Sequence, residues 1–375
     1  MLLQKPPALQ DWQGGVKLAS GYISLEHHVD GFECCWNGIE DLYMAKSGTQ
    51  WMPSCFFMAL SGLGEFSYTI QQDNPGIRMA MWNTASVKKM YMYLSPVAGF
   101  KYKFCECKDF NYIMDIIKEN IDNGCPVMAG VLDMYYLDYH KKFWHKHHIP
   151  CHYILVSGYC DKKQCIYLYD NSLKEIQELP YSSLKLALDI KEGVYTDPCG
   201  IYCFSFQDNL PEVRELAVNG FRAKALRMLN PDKDTYGIKA MYRLSREFGQ
   251  WKKDADEERF RQCLLNIIRY TGITIFADNL MPLEKRMDFP SCASRDIISA
   301  NLMEIGSIYK LMPFIRAAKM FRQSGRYISA MTRILTDYLL NKEDALIQIP
   351  GIIKKIAEIE ESAYKLLASP SLYKK

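Results

Sequence analysis

The chain has 375 residues, 49% apolar and 24% charged, with a formal net charge of +3. That composition suits a soluble globular protein of two domains, each able to bury its own core. The sequence has no run of about 18 apolar residues of the kind a membrane span needs, and the small net charge without a recognised nucleic-acid motif argues against a nucleic-acid partner.

In chain order, the opening MLLQKPPALQDWQGG (residues 1–15) lacks the basic start, long apolar stretch and small-residue cleavage site of a signal peptide, so a cytoplasmic protein is expected. After Cys34 and Cys35, the residues Ile39, Leu42 and Tyr43 have helical spacing, and Gly48 is a suitable stop. The motif LSGLGEFSY (Leu60 to Tyr68) reads as a tight turn lining a site, since it lacks the Lys of a phosphate loop. KKMYMYLSP (Lys88 to Pro96) reads as strand packing. NYIMDIIKENIDNG (Asn111 to Gly124) is a helix with a Gly stop. PVMAGVL (Pro126 to Leu132), HYILVSGYC (His152 to Cys160) and QCIYLYDN (Gln164 to Asn171) read as strands, the last two joined by a tight turn into a hairpin. PYSSLKLAL (Pro180 to Leu188) is a short helix and GIYCFSF (Gly200 to Phe206) a closing strand. Beyond FSFQDNLPEVREL (Phe204 to Leu216), long segments carry apolar residues three and four apart and read as helices.

Two asymmetries mark the same boundary. All seven histidines lie at or before His152. Residues 1–204 carry 18 basic and 22 acidic side chains, whereas residues 205–375 carry 28 and 21. The expected organisation is α+β, with a domain at 1–208 followed by an all-helical domain at 209–375.

The 13 cysteines cannot all pair within one chain, and thiols are expected in a cytoplasmic setting. CEC (Cys105, Cys107), CDKKQC (Cys160, Cys165) and CGIYC (Cys199, Cys203) do not make a matched pair of zinc knuckles. In HKHHIPCH (His145 to His152), His148 and His152 have a helical ligand spacing, but Pro150 and the following strand argue against a helix, so no metal site is expected; His145 and His147 read as exposed loop residues near a cleft.

A reactive thiolate needs a helix N-terminus and an imidazole, and the imidazole needs a group to fix its tautomer. Cys34 and Cys35 stand at a helix start, His152 opens one hairpin strand and Asp170 ends the next. The start of one strand lies beside the end of its neighbour, so His152 and Asp170 should meet.

This order of cysteine–helix, histidine-led hairpin and Asp resembles papain-like cysteine peptidases. With LSGLGEFSY, PVMAGVLDMYYLDY and the helical half opening YGIKAMYRLSREFGQW, the chain more closely resembles the butirosin biosynthesis protein H family, and it could equally sit with the amide-forming papain-like step of closthioamide assembly. The resemblance implies a papain-like fold and an acyltransferase: an acyl group passes from a carrier-protein thioester, through an acyl-cysteine, to a small amine. No cofactor is implied beyond the phosphopantetheine of the carrier, and no ATP or metal.

The resemblance leaves two candidate nucleophiles. Papain-like enzymes place an oxyanion-hole side chain six residues before the cysteine; from Cys34 that is His28, from Cys35 it is Val29, which cannot donate. The apolar pattern after the cysteine also suits Cys34, whereas Cys35–Trp36 matches the common Cys-Trp pair. Cys34 is preferred, with Cys35 the alternative. From Lys310 to Arg333 the chain has six basic residues and no acidic one, and Arg316, Lys319, Arg322 and Arg326 can share a helix face. This stripe is either a solvated face or a dock for an acidic acyl or peptidyl carrier protein. A hydrolase, or a catalytically silent binding protein, would use the same cleft.

Overall fold

In a computed structural model, the described residues are 20–30, 34–71, 76–82, 87–190, 199–271 and 292–369. The N-terminal stretch read for signal-peptide features lies outside them. In chain order the elements are β1 (Ser20–Tyr22), α1 (Asn37–Ser47), α2 (Phe56–Leu60), β2 (Ser67–Ile70), β3 (Arg78–Met81), α3 (Val87–Ala98), β4 (Phe100–Glu106), α4 (Phe110–Asp122), β5 (Val127–Asp133), β6 (Pro150–Cys160), β7 (Cys165–Asp170), β8 (Leu173–Pro180), α5 (Tyr181–Leu188) and β9 (Gly200–Phe206). Then come α6 (Val213–Leu229), α7 (Gly237–Glu247), α8 (Trp251–Asp254), α9 (Glu257–Thr271), α10 (Arg295–Ile308), α11 (Met312–Leu339) and α12 (Ile349–Ala368). The fold is therefore mixed, with an antiparallel sheet first and a helical region after it.

The chain forms two compact units, Met1–Phe57 with Ser86–Val213, and Met58–Ala85 with Arg214–Lys375. The division is discontinuous, unlike the single break expected near residue 208. Residues 58–85 join the helical unit because their polar groups are satisfied there. Glu65, fully buried, accepts from Arg227 at 2.6 Å and from Tyr236. The Lys224 ammonium donates to the Ala59 carbonyl at 2.7 Å and to that of Leu63. LSGLGEFSY is thus core of the helical unit, and the expectation that it lines the site is corrected.

In the first unit a seven-stranded antiparallel sheet runs β4-β9-β5-β6-β7-β8, with β1 also on β6. β6 is buried from His152 to Tyr159, as expected of a central strand covered on both faces. Helix α1 lies close over it because residue 38 is Gly: a Cβ there would stand 2.5 Å from Met128 Sδ and 2.8 Å from Leu155 Cβ. The helix ends at Gly48, which takes the left-handed conformation that terminates helices (φ 71°). KKMYMYLSP, expected as a strand, is helix α3. Its Tyr91, Leu94 and Ala98 repeat at three and four residues and are buried, while the alternation of Met and Tyr imitated a strand. Strands β1, β4 and β8 of this sheet were not foreseen.

In the second unit the long stretch from Ser294 to Gln323 is two helices. Lys310 adopts φ 56° between them, and Pro313 sits in the first turn of α11, where a missing N–H costs nothing. The buried pair Arg295–Glu360, with N–O distances of 2.8 and 2.9 Å, ties α10 to α12.

Candidate active site

Cys34, His152, Asp170 and the side chains bonded to them belong to the sheet unit. The ladder between β6 and β7 sets Leu155 opposite Tyr169. Continuing that register puts Asp170 across from residue 154, so His152 is its diagonal neighbour on the same face. Their side chains meet: His152 Nε2 is 2.6 Å from Asp170 Oδ2, and both residues are buried. Asp170 is held from several sides. Tyr139 Oη donates to Oδ2 at 3.0 Å, and the Ser172 N–H and hydroxyl donate to Oδ1 at 3.0 and 2.8 Å.

Cys34 occupies the turn that leads into α1. Its thiol is within hydrogen-bonding reach of both Cys35 and His152 and lies 3.9 Å from the Cys151 carbonyl. The Cys35 carbonyl accepts from Tyr91 Oη, so α3 buttresses the turn.

The electrostatics follow from these contacts. The hydrogen bond with Cys35, together with that of His152 and its charge, outweighs burial and holds the Cys34 thiol well below the usual cysteine range. Burial pulls the His152 imidazole down, but the Asp170 charge and hydrogen bond, with Cys34, push it up to about 10. Asp170 is raised by burial and lowered more strongly by His152 and Ser172, and it stays ionised. These shifts run in the direction of a thiolate–imidazolium–carboxylate row.

His28 does not offer a free ring N–H to an oxyanion. Its Nδ1 lies 2.6 Å from Asp41 Oδ1 and its Nε2 3.1 Å from Glu40 Oε2. Burial lowers this ring, yet the two carboxylates lift it to about 10. It is a charged structural group, and the expectation that it serves as oxyanion donor is corrected on that ground.

The same network holds residues that the sequence reading missed. His27 Nδ1 is 2.6 Å from Asp41 Oδ2, while its Nε2 is 3.0 Å from the Asp170 carbonyl oxygen. Asp41 therefore connects the cysteine helix to the end of β7. His140 packs edge-on to His152 with ring centroids 5.9 Å apart, and its Nε2 is 3.3 Å from Ser172 Oγ. Adjacent acidic residues on an otherwise apolar helix were the only signal for Glu40 and Asp41; no spacing rule points to His140.

The ligand atoms of His140, His152 and Asp170 lie within 4.8 Å of one another and could hold a metal ion. The histidines of the preceding loop do not join them. His148 is bonded to Asp133 at 2.6 Å, and His145 stacks on Tyr135 at 4.9 Å. Arg316, Lys319, Arg322 and Arg326 are all exposed on α11, in the other unit. No helix among the described residues is long and apolar enough to cross a membrane.

Residues 33–171 match the family described as butirosin biosynthesis protein H, N-terminal. The matched stretch begins one residue before Cys34 and ends one after Asp170. No curated protein matches the chain.

Proposed function

We propose that this chain is a papain-like cysteine acyltransferase that forms an amide bond in antibiotic biosynthesis, a reading supported by the match of residues 33–171 to the butirosin biosynthesis protein H N-terminal family. The observation that carries this reading is the single imidazole, His152, set between the Cys34 thiol and the Asp170 carboxylate.

The Cys34 thiolate attacks the carbonyl carbon of an acyl thioester presented by a carrier protein. The oxyanion forms against backbone N–H groups at the start of α1. The donor's thiol leaves with the proton of His152, and an acyl-cysteine remains. An amine then attacks this thioester, neutral His152 takes its proton, and the Cys34 thiolate departs as the amide forms. Thioester exchange onto cysteine is nearly balanced in energy, so neither ATP nor a metal is needed. The acceptor is a small amine, and the reaction belongs to the cytoplasm. The exposed Arg316, Lys319, Arg322 and Arg326 are the proposed contact for the acidic carrier.

The test is the fate of the acyl group. With a thioester donor and a panel of amines, the reading expects amide to form faster than the donor is hydrolysed. Hydrolysis unaffected by any amine indicates a thioesterase or peptidase, and the absence of any adduct or turnover indicates a binding protein. A chelator should leave the rate unchanged; its loss, restored by added zinc, would assign the His140, His152 and Asp170 donors to a metal instead.

A further inference from the structure

The sequence motifs CEC and CGIYC have no part in the chemistry above, yet the fold brings them together. Cys105 and Cys107 belong to β4 or its end, and Cys199 and Cys203 to β9 or its start. The antiparallel register pairs Cys105 with Ile201, Lys103 with Cys203 and Glu106 with Gly200. One step further, the Cys107 N–H donates to the Cys199 carbonyl at 2.9 Å. Cys107 and Cys199 are therefore directly opposite, and opposite residues point to the same face.

The four thiols do not converge as a metal site; among the described residues only His140, His152 and Asp170 do so. They resolve instead into pairs. The Cys107 and Cys199 thiols each lie near enough to the other to shift its titration. Directly opposite residues of an antiparallel pair hold their Cα atoms about 4.5–5.5 Å apart, inside the range a disulfide spans. Cys105 also influences the titration of Cys203, but the two are diagonal neighbours, and diagonal residues sit about 7–8 Å apart. Cys160 and Cys165 are opposite across the β6–β7 hairpin, but the Cys165 thiol is turned toward Glu178, 4.0 Å away. Both Cys107 and Cys199 are partly exposed.

We propose that Cys107 and Cys199 are a redox modification site, which closes a disulfide across the β4–β9 pair in exchange with a low-molecular-weight disulfide such as oxidised glutathione. The Cys107 thiolate attacks one sulfur of oxidised glutathione, forming a mixed disulfide and releasing one glutathione thiolate. Cys199 then attacks the Cys107 sulfur, the protein S–S bond forms and the second glutathione thiolate leaves. The two thiol protons end on the two glutathiones, so one disulfide is spent for one made. Burial raises both thiols, Cys107 to about 11. The reduced pair thus gains nothing from ionisation, which favours the closed form at equilibrium while slowing its formation.

The measurement is equilibrium, not rate. The full chain is held in glutathione buffers of graded ratio, blocked with an alkylating agent, digested and mapped by mass. The expected product is a peptide joining Cys107 to Cys199, two hydrogens lighter than the reduced pair. It should form at a ratio roughly tenfold or more to the reducing side of that needed by the urea-unfolded chain. In Cys199→Ser the intermediate is trapped, and Cys107 should carry one glutathione. The inference is overturned if the folded chain yields no such peptide, or yields it only at the unfolded chain's ratio with linkages scrambled. No acyl transfer is measured, so the outcome is independent of the proposed activity.

Discussion

Asp41 holds His28 through a 2.6 Å contact to its ring and a second, at 3.2 Å, to its backbone N–H. The consequence is a pH-dependent contribution to stability. His28 titrates at about 10 in the folded chain, above its ordinary 6.5. A raised value means that the contribution is complete below about 6.5 and is lost as pH rises through about 10. Thermal unfolding should therefore show Tm falling between those limits, by about 2–4 °C for each kcal/mol lost. His28→Asn should remove about half of the slope, because His152, shifted by the same amount in the same direction, supplies a comparable share. An unchanged slope in the variant would remove His28 from the account.

The thiolate–imidazolium pair predicts a plateau in cysteine reactivity. Alkylation of Cys34 by iodoacetamide should remain fast well below pH 8.5, about where a free cysteine loses half its thiolate. It should stay fast on the alkaline side as well, because Cys34 remains a thiolate when His152 loses its proton near 10. Cys151, raised by burial and by the nearby Cys34, should not react in that window. A profile that simply rises through the ordinary cysteine range would contradict the pairing of Cys34 with His152.

Asp170 raises the His152 imidazole by its charge. In Asp170→Asn that charge is gone, so the alkaline limb of the activity profile should move from about 10 toward 6.5. Replacing His152 itself should cost about 100-fold or more, since both thiolate activation and general-base help are lost. Asp170→Asn should cost less, because an amide can still orient the ring. Tyr139→Phe removes only one of Asp170's donors and should cost less again. Equal losses for His152→Ala and Tyr139→Phe would indicate a folding defect, which circular dichroism would register.

Reversing two of Arg316, Lys319, Arg322 and Arg326 should raise KM for a carrier-bound donor and leave a small thioester mimic unaffected. Added salt should weaken the carrier reaction in parallel, because exposed charges are screened within about 10 Å at 0.1 M. No change with either donor returns the stripe to a solvated helix face.

The His152–Asp170 contact was legible in the sequence because a hairpin fixes which strand ends are neighbours. The choice between Cys34 and Cys35 was legible only as a preference, because the spacing to His28 and to the apolar residues after it favoured Cys34 while the Cys-Trp pair favoured Cys35. His28 had the right position for an oxyanion donor, but periodicity assigns charged helix residues to solvent, so the buried Glu40 and Asp41 that occupy its ring went unseen. LSGLGEFSY was misplaced for a similar reason: sequence adjacency assigned it to the cysteine domain, whereas its buried Glu65 finds its partners, Arg227 and Tyr236, more than 150 residues later.

The most direct test of the central claim is the location of the acyl group. Wild-type protein is mixed with an acyl thioester in the absence of amine, quenched in acid and mapped by mass spectrometry. The account predicts one acyl group on Cys34, absent in Cys34→Ala and retained in Cys35→Ala. An acyl group on Cys35, or an adduct that persists in Cys34→Ala, would contradict Cys34 as the nucleophile, and full turnover in the double variant would contradict covalent catalysis altogether.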